Sequence, residues 1–339
     1  MLFLVLFATP ARSQEPIFSQ FYSAPLYLNP ALIGSEHDIY FGANYRDAGD
    51  FIGSLTQVSA IYPWLTKGSE AKQLGGFGLS FYNSQSGFNR ELKTTGGTVS
   101  GSYNLGLSLD GSQRLSFGLQ VGFIQKVVDY SSLTFGSQFS NYLGFDREIP
   151  SPFATNTDQA VAPVINSGLV WYFAPHRFTD QRRFSTFLGF AAANLNQPNQ
   201  ALTSTGESNT LRTPMVLRWH GAVNYEVIEK LDVSPAFLII NRNDLWFYNL
   251  GTYFTYFLNS KDGNPFMPQD VLLGAWYRLD GALVFSFGLK SANLTVGFSY
   301  DHNFNSSKFL NSNTNAFELS LAYRILLEKG LKRFSTPLL

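Results

Sequence analysis

Apolar and polar residues alternate along much of the chain. Leu115, Phe117, Leu119, Val121 and Phe123 fall on one face, and Ser116, Gly118, Gln120 and Gly122 on the other. Leu283, Phe285, Phe287 and Leu289 oppose Ala282, Ser286 and Gly288. Leu294, Val296, Phe298 and Tyr300 oppose Asn293, Thr295, Gly297 and Ser299, and Phe317, Leu319, Leu321, Tyr323 and Ile325 oppose Glu318, Ser320 and Arg324. A period of two is the signature of a strand. The pattern predicts about fourteen strands, an even number as in bacterial single-chain barrels. They fall near 36–46, 54–63, 72–83, 93–105, 113–127, 162–173, 184–195, 214–227, 231–240, 245–258, 269–279, 282–290, 292–302 and 314–326.

A soluble sandwich with one wet face alternates in the same way. The polar face here is Gly, Ser, Asn, Gln and Thr more than Lys and Glu, which suits a narrow barrel interior better than a water-facing sheet. Composition agrees. Charged residues make up 14% of the chain, against about 25% in soluble domains. Aromatics reach 16%, yet mean hydropathy is close to neutral and no run after the N-terminus suits a membrane helix. The fold class expected is all-β: a transmembrane antiparallel up-and-down β-barrel spanning 36–327. No fixed-period repeat supports a propeller. The groups Tyr62 with Trp64, Trp171-Tyr172-Phe173, and Trp276 with Tyr277 lie near strand ends and are expected in an interfacial girdle.

The connections test this topology. With a periplasmic N-terminus, odd-numbered connections face outward. The longest, 128–161, 196–213 and 303–313, are the fifth, seventh and thirteenth. Tight ones such as Leu109-Asp110-Gly111-Ser112, Ile228-Glu229-Lys230 and Lys290-Ser291 are even. Long outer loops and short periplasmic turns are the barrel rule. Three even connections, 64–71, 174–183 and 259–268, are longer than it prefers.

Residues Leu2 to Ala8 form an apolar run followed by Ala11 and Ser13, small residues two apart as signal peptidase requires. Residues 1–13 are therefore read as a signal peptide, although no Lys or Arg precedes the run. Residues 14–35 are apolar but broken by Pro25 and Pro30, so neither a helix nor a long strand fits. This segment is expected to lie against or inside the barrel, as a plug or as a dock for a periplasmic partner. Its candidate partner-binding residues are Phe18, Phe21, Tyr22, Leu26, Tyr27, Asn29 and Pro30. The outer loop 128–161 is the second candidate surface, with Tyr130, Leu133, Phe135, Phe139, Tyr142 and Phe145 among small polar residues. Loops of that length are usually functional or disordered. It is read either as a lid or as a receiver of cargo. Residues 328–339 are expected as a periplasmic tail.

Catalytic chemistry is sparse. The chain has no cysteine and four histidines, none at a metal-ligand spacing. No nucleophile elbow or phosphate loop is present. Gly75-Gly76-Phe77-Gly78 and Gly96-Gly97 read as small lumen residues or bends. His220 points into the lumen and would serve a lipid hydrolase only with a serine partner, which spacing does not reveal. The lumen charges Arg114, Lys126, Arg218, Glu226, Glu318 and Arg324 either select solutes or form structural ion pairs; the structural reading is preferred. A net charge of +0 leaves no basic footprint for nucleic acid. No metal, cofactor or enzymatic activity is expected.

The mature start carries Phe18-Ser19-Gln20-Phe21-Tyr22 and then Pro25-Leu26-Tyr27-Leu28-Asn29-Pro30-Ala31 with Gly34. Further along come Leu115-Ser116-Phe117-Gly118-Leu119-Gln120, Leu133-Thr134-Phe135-Gly136 and Asn194-Leu195-Asn196-Gln197-Pro198. Trp276-Tyr277-Arg278 and Gly297-Phe298-Ser299-Tyr300-Asp301 lie near the end. In this order the chain resembles the PorP/SprF family of Bacteroidetes. It departs from the family at Tyr45-Arg46-Asp47-Ala48-Gly49, where relatives often carry Tyr-Arg-Asn-Gln-Trp. The resemblance implies a non-enzymatic outer-membrane barrel of the type IX secretion and gliding machinery. Its implied partners are secreted cargo with a C-terminal signal domain, the translocon, periplasmic motor components and outer-membrane lipid. The alternative is a passive channel or hydrophobic-solute transporter.

N-terminal sequencing of the protein recovered from outer membranes is expected to begin at Gln14. A mature chain retaining residues 1–13 would remove the signal-peptide assignment.

Overall fold

The computed structural model describes residues 17–66, 73–87, 89–131, 133–140, 144–146, 148–149, 157–175, 184–202, 212–258, 267–279, 281–304 and 315–327. The proposed signal peptide, the C-terminal tail and Tyr142 lie outside them. The chain enters through three short helical segments, Phe21–Ser23, Pro25–Leu28 (α1) and Pro30–Ser35. Strands β1 (Ile39–Asp47), β2 (Ser54–Leu65), β3 (Gln73–Ser86), β4 (Leu92–Gly106) and β5 (Gln113–Asp129) follow, with one helical turn, α2 (Gly49–Ile52), between β1 and β2. Next come β6 (Phe139–Ser140), β7 (Gly144–Phe145), β8 (Thr157–Phe173), β9 (Phe184–Ala193), β10 (Val216–Ile228) and β11 (Leu231–Arg242). The chain finishes with β12 (Leu245–Phe257), β13 (Asp270–Arg278), β14 (Ala282–Lys290), β15 (Leu294–Asn303) and β16 (Ala316–Ile325).

All strands except β6 and β7 form one closed antiparallel barrel of fourteen strands. β1 closes it by pairing with β16, from Ile39 opposite Ile325 to Asp47 opposite Phe317. Closure satisfies the backbone of every strand without an edge, which a membrane requires. None of the described helices is long and apolar enough to cross a membrane.

The alternation has the expected sense. On β5, Phe117, Leu119, Val121 and Phe123 are exposed on the outer wall, whereas Ser116 and Gln120 are buried inside. From Leu115 to Phe123 the strand climbs roughly eight steps of about 3.4 Å. With tilt, that matches an apolar band of about 25 Å. Above the band Gln125 and Gln159 stand on the outer wall and hydrogen-bond at 3.2 Å.

The wall is uneven in height. β13 and β14 have 9 residues each, while β5 and β8 have 17. Crossing a membrane takes about 9–11 residues, so the β3–β8 side projects beyond the lipid at the end of the barrel that carries the long loops. The strand ends that flank connections 130–156, 194–215 and 304–315 lie at that end; the short turns 107–112, 229–230 and 291–293 lie at the other, with the start of β1 and the end of β16. The hairpin β6–β7 sits within loop 130–156.

The strand bounds differ from the sequence expectation most at β8, which starts at Thr157 rather than 162. Thr157–Ala160 lie above the lipid, where no apolar period marks a strand, yet they pair with β5 up to Asp129. The girdle expectation needs correction. Tyr62 and Trp64 are 58% and 49% exposed, but Trp276 is 2% and Tyr172 1%. A period of two turns every second member of an aromatic run inward. The N-terminal segment also contains helix, in pieces of three to six residues. Pro25 and Pro30 each stand at the first helical positions, where their missing N–H costs nothing.

Leu119→Arg, in the middle of the apolar band, is expected to destabilise the folded barrel by about 2–4 kcal/mol in denaturant titrations in lipid vesicles. Gln125→Arg, above the band, is expected to leave the midpoint nearly unchanged. Equal effects at both positions would contradict this placement of the membrane.

Candidate functional site

The hydrophobic core of this barrel lies in its lumen and is made by its own N-terminal segment. Phe21, Tyr22, Leu28, Ala31 and Leu32 pack with Val170, Tyr172, Phe187, Leu238, Tyr253 and Trp276 of the wall. Leu26 and Ile33 pack with Tyr40, Ile61 and Ala322. Ser19 lies beside Arg46, Asp301 and Glu318, near the long-loop ends of β1, β15 and β16. Glu36 lies beside Arg324, next to the short-turn end of β16. The described segment therefore runs along the lumen between the long-loop half, at Ser19, and the periplasmic rim, at Glu36.

A non-repetitive backbone inside a barrel must find partners for its peptide groups. The wall supplies them through side chains. Gln120 Nε2 donates to the Leu26 carbonyl at 3.3 Å, Ser116 Oγ to that of Ala31 at 2.8 Å, and Asn104 Nδ2 to that of Gly34 at 3.0 Å. Gln73 Nε2 donates to the carbonyls of Ile33 and Glu36. In the other direction, the Glu318 carboxylate accepts from the N–H groups of Ser19 at 2.7 Å and Gln20 at 3.0 Å. Glu318 is also 3.6 Å from Arg46, which reaches Asp301 at 2.7 Å, and Arg278 reaches the same Asp301 oxygen at 2.9 Å. Two arginines thus balance two buried acids, the condition for keeping charges out of water.

Asn29 holds the middle. Its side chain accepts from Ala31 N at 2.9 Å, donates to the carbonyls of Leu169 and Phe190 at 3.1 Å each, and lies 3.0 Å from His220 Nε2. Both Asn29 and His220 are fully buried. The wall is also trimmed to admit the segment. A Cβ on Gly118 would collide with the Pro30–Ala31 backbone, and one on Gly168 with the Asn29 side chain. Gly76 and Gly78 likewise face Ile33 and Leu26.

Above the segment is a cavity of about 220 Å³, floored by Leu26 and Tyr27 and lined by wall residues from β2 to β11, among them Lys126, Arg218 and Arg242. Ser86, Leu92 and Arg242 place it at the long-loop end. A smaller space of about 40 Å³ lies beside Gln20 and Ser23 and shares no lining residue with the first.

The candidate residues of the N-terminal segment thus converge on one place. Phe18, Phe21, Tyr22, Leu26, Asn29 and Pro30 are buried against this chain's own wall. Phe18 meets Tyr27 at 5.6 Å, Phe21 meets Trp276 at 5.1 Å, and the Tyr22 hydroxyl donates to the Gly221 carbonyl at 3.1 Å. Tyr27 is half-buried and faces the cavity, with the Arg218 guanidinium 5.4 Å over its ring. The loop residues form a separate group. Tyr130 is buried, Leu133 and Phe135 are half-buried, and Phe139 and Phe145 are exposed with rings 5.6 Å apart. His220 meets Asn29 and the rings of Tyr22 and Phe187, and no serine hydrogen-bonds it among the described residues. No group of metal-binding side chains occurs among them either.

Sequence reasoning picked out Glu318 and Arg324 but missed Arg46, Arg278 and Asp301. The signal was available, because Asp301 shares the inward parity of Gly297 and Ser299.

This architecture defines an outer-membrane β-barrel closed by its own N-terminal segment. The chain belongs to the family of type IX secretion system membrane proteins PorP/SprF, whose sequence model matches residues 11–323. Solved barrels are similar to the chain at low identity. The toluene transporter TbuX of Ralstonia pickettii is 12% identical, with TM-score 0.47, over 90% of this chain and 94% of that one. A FadL homologue of Pseudomonas aeruginosa is 13% identical, with TM-score 0.43, over 87% and 92%. The CymD monoaromatic hydrocarbon channel is 11% identical, with TM-score 0.47, over 91% and 93%. No curated protein matches the chain.

The wild-type barrel is expected to be electrically silent in planar bilayers. Gly118→Leu, which drives a side chain into the Pro30–Ala31 backbone, is expected to produce ion-conducting steps and to open the segment near Ile17–Ser35 to protease. A variant as silent and resistant as the wild type would remove the plug from this account.

Proposed function

We propose that this protein is a non-enzymatic partner barrel of the type IX secretion machinery, which helps secreted proteins with a C-terminal signal domain to be exported or held at the cell surface. The observation that carries this reading is the occupied lumen of a barrel from a secretion-system family. A solute channel needs a continuous path, and the Phe18–Ser35 segment stands across it. A barrel without a path works through what its two faces hold. The outer face offers the tall β3–β8 rim, the cavity above Tyr27 and the hairpin with Phe139 and Phe145. The short-turn face is open to periplasmic machinery.

Photo-crosslinkers at Phe139 and Phe145 in the native host are expected to trap secreted proteins, and a strain lacking this chain is expected to lose particular cargo from its surface or medium. Unchanged secretion in the deletion strain, together with solute flux through the purified barrel, would favour a transporter instead.

A further inference from the structure

Strand β8 stands higher than its neighbour β9. Its ladder with β5 reaches Thr157 opposite Asp129, whereas its ladder with β9 stops at Ser167 opposite Ala192, because β9 ends at Ala193. Above Ser167, the side of β8 away from β5 is therefore a sheet edge. The chain closes the lower part of that edge itself. Leu195 N–H donates to the Ile165 carbonyl at 2.8 Å. Asn196 then uses its side-chain amide in place of a peptide group: Oδ1 accepts from Ile165 N–H at 3.1 Å, and Nδ2 donates to the Pro163 carbonyl at 2.7 Å. Pro163 has no N–H to offer there. Gln197 N–H closes a turn on the Asn194 carbonyl at 2.9 Å, and no described strand pairs with Thr157–Ala162 on this side. Peptide groups alternate in direction along a strand. Those of Ile165 point to the edge, so those of Val161, Gln159 and Thr157 do too. Asp158 Oδ1 takes the Gln159 N–H at 2.8 Å, which leaves the edge the Gln159 carbonyl and both groups of Val161. Val161 is 63% exposed, and Thr157 and Gln159 are exposed as well. None of the three carries a charge, the usual protection of an open edge.

We propose that Thr157–Ala162 of β8 is a docking edge for an extended segment of a secreted polypeptide, which adds to it as an antiparallel strand. The proposal rests on the reading of this barrel as a partner of secreted proteins, and names the way one would be held. Geometry selects a polypeptide. The free groups repeat every second residue, at about 6.8 Å, a spacing that another extended backbone reproduces. Asn196 shows that this edge accepts an amide group, one step below the free stretch. Position selects an extracellular partner, since Val161 lies opposite Gln125, above the apolar band and at the long-loop end. The stretch is as long as an ordinary strand, about 5–6 residues. A second copy of this barrel does not fit. Two barrels in one membrane are related by an axis along its normal, so their tilted β8 strands would cross at about 70–90°, twice the usual tilt.

The test uses the full-length barrel in nanodiscs and a fluorescein-labelled peptide of alternating Thr and Val. An analogue methylated at every peptide nitrogen keeps the side chains but cannot enter a ladder. The plain peptide is expected to bind, and the methylated one to bind at least about tenfold more weakly. Val161→Pro removes the free N–H without touching the ladder to β5, and is expected to weaken binding by a similar factor. Val161→Ala, which keeps the N–H, is expected to stay within about twofold. Protease resistance checks that both variants fold. Amide hydrogen exchange of the wild type reads the edge directly: the Val161 amide is expected to exchange fast in the free barrel and to slow when the peptide is added. Equal binding of the two peptides, binding of neither, an unchanged Val161→Pro barrel, or a Val161 amide already protected without peptide (the edge then being covered by this chain itself) would overturn the assignment. If the edge fails in this way while a deletion strain still loses secreted cargo, the edge falls and the partner-barrel reading stands. If secretion proceeds without the protein, that reading falls, and the peptide and exchange results decide the edge on their own.

Discussion

The structure depends on one requirement: the peptide groups of an irregular segment inside the barrel must be hydrogen-bonded there. Phe18–Ser35 makes only short helical segments, so several of its peptide groups look to the wall for partners. Strand side chains complete them, through Gln120, Ser116, Asn104 and Gln73. This explains the character of the lumen face. Asn, Gln and Ser reach a neighbouring backbone without bringing a charge, and Gly lets that backbone come close. Lys and Glu in their place would each need a buried counter-charge.

One cluster of charges inside joins the ends of the chain. Arg46 of β1 meets Asp301 of β15 and Glu318 of β16, and Glu318 holds the backbone of Ser19 and Gln20. The seam between the first and last strands is therefore bridged by the segment that precedes both. Such contacts have very large sequence separation, so they reward the chain only once the barrel is nearly closed. Closure of the barrel and seating of the segment thus share the same contacts.

The residues that carry the family resemblance make sense in these terms. Ser116, Gly118 and Gln120 are the three inward positions of Leu115–Gln120. All three touch the segment: at the Ala31 carbonyl, under Pro30–Ala31 and at the Leu26 carbonyl. Trp276-Tyr277-Arg278 contributes Trp276 to Phe21 and Arg278 to Asp301. Tyr45-Arg46-Asp47-Ala48-Gly49, the stretch that departs from the family pattern in its last three positions, still contributes Arg46 to the same cluster. Short patterns scattered over the chain are the two sides of one contact.

The sequence alone determined the barrel. Period-two alternation places each strand, small polar residues mark the inner face, and loop parity orients the whole, because all three are properties of neighbouring residues along one chain. It also exposed Phe18–Ser35 as apolar and irregular. Only the tertiary structure decided that this segment runs from the long-loop half to the periplasmic rim. Only there do Ser19, Arg46, Arg278, Asp301 and Glu318 meet, and Lys126, Arg218 and Arg242 share one cavity. The reason is physical. Parity says which side of the wall a side chain takes, but not which residue of another strand lies opposite it across the lumen. That pairing is set by the closed circumference and by the packing of the segment inside it, and neither is written in any local window.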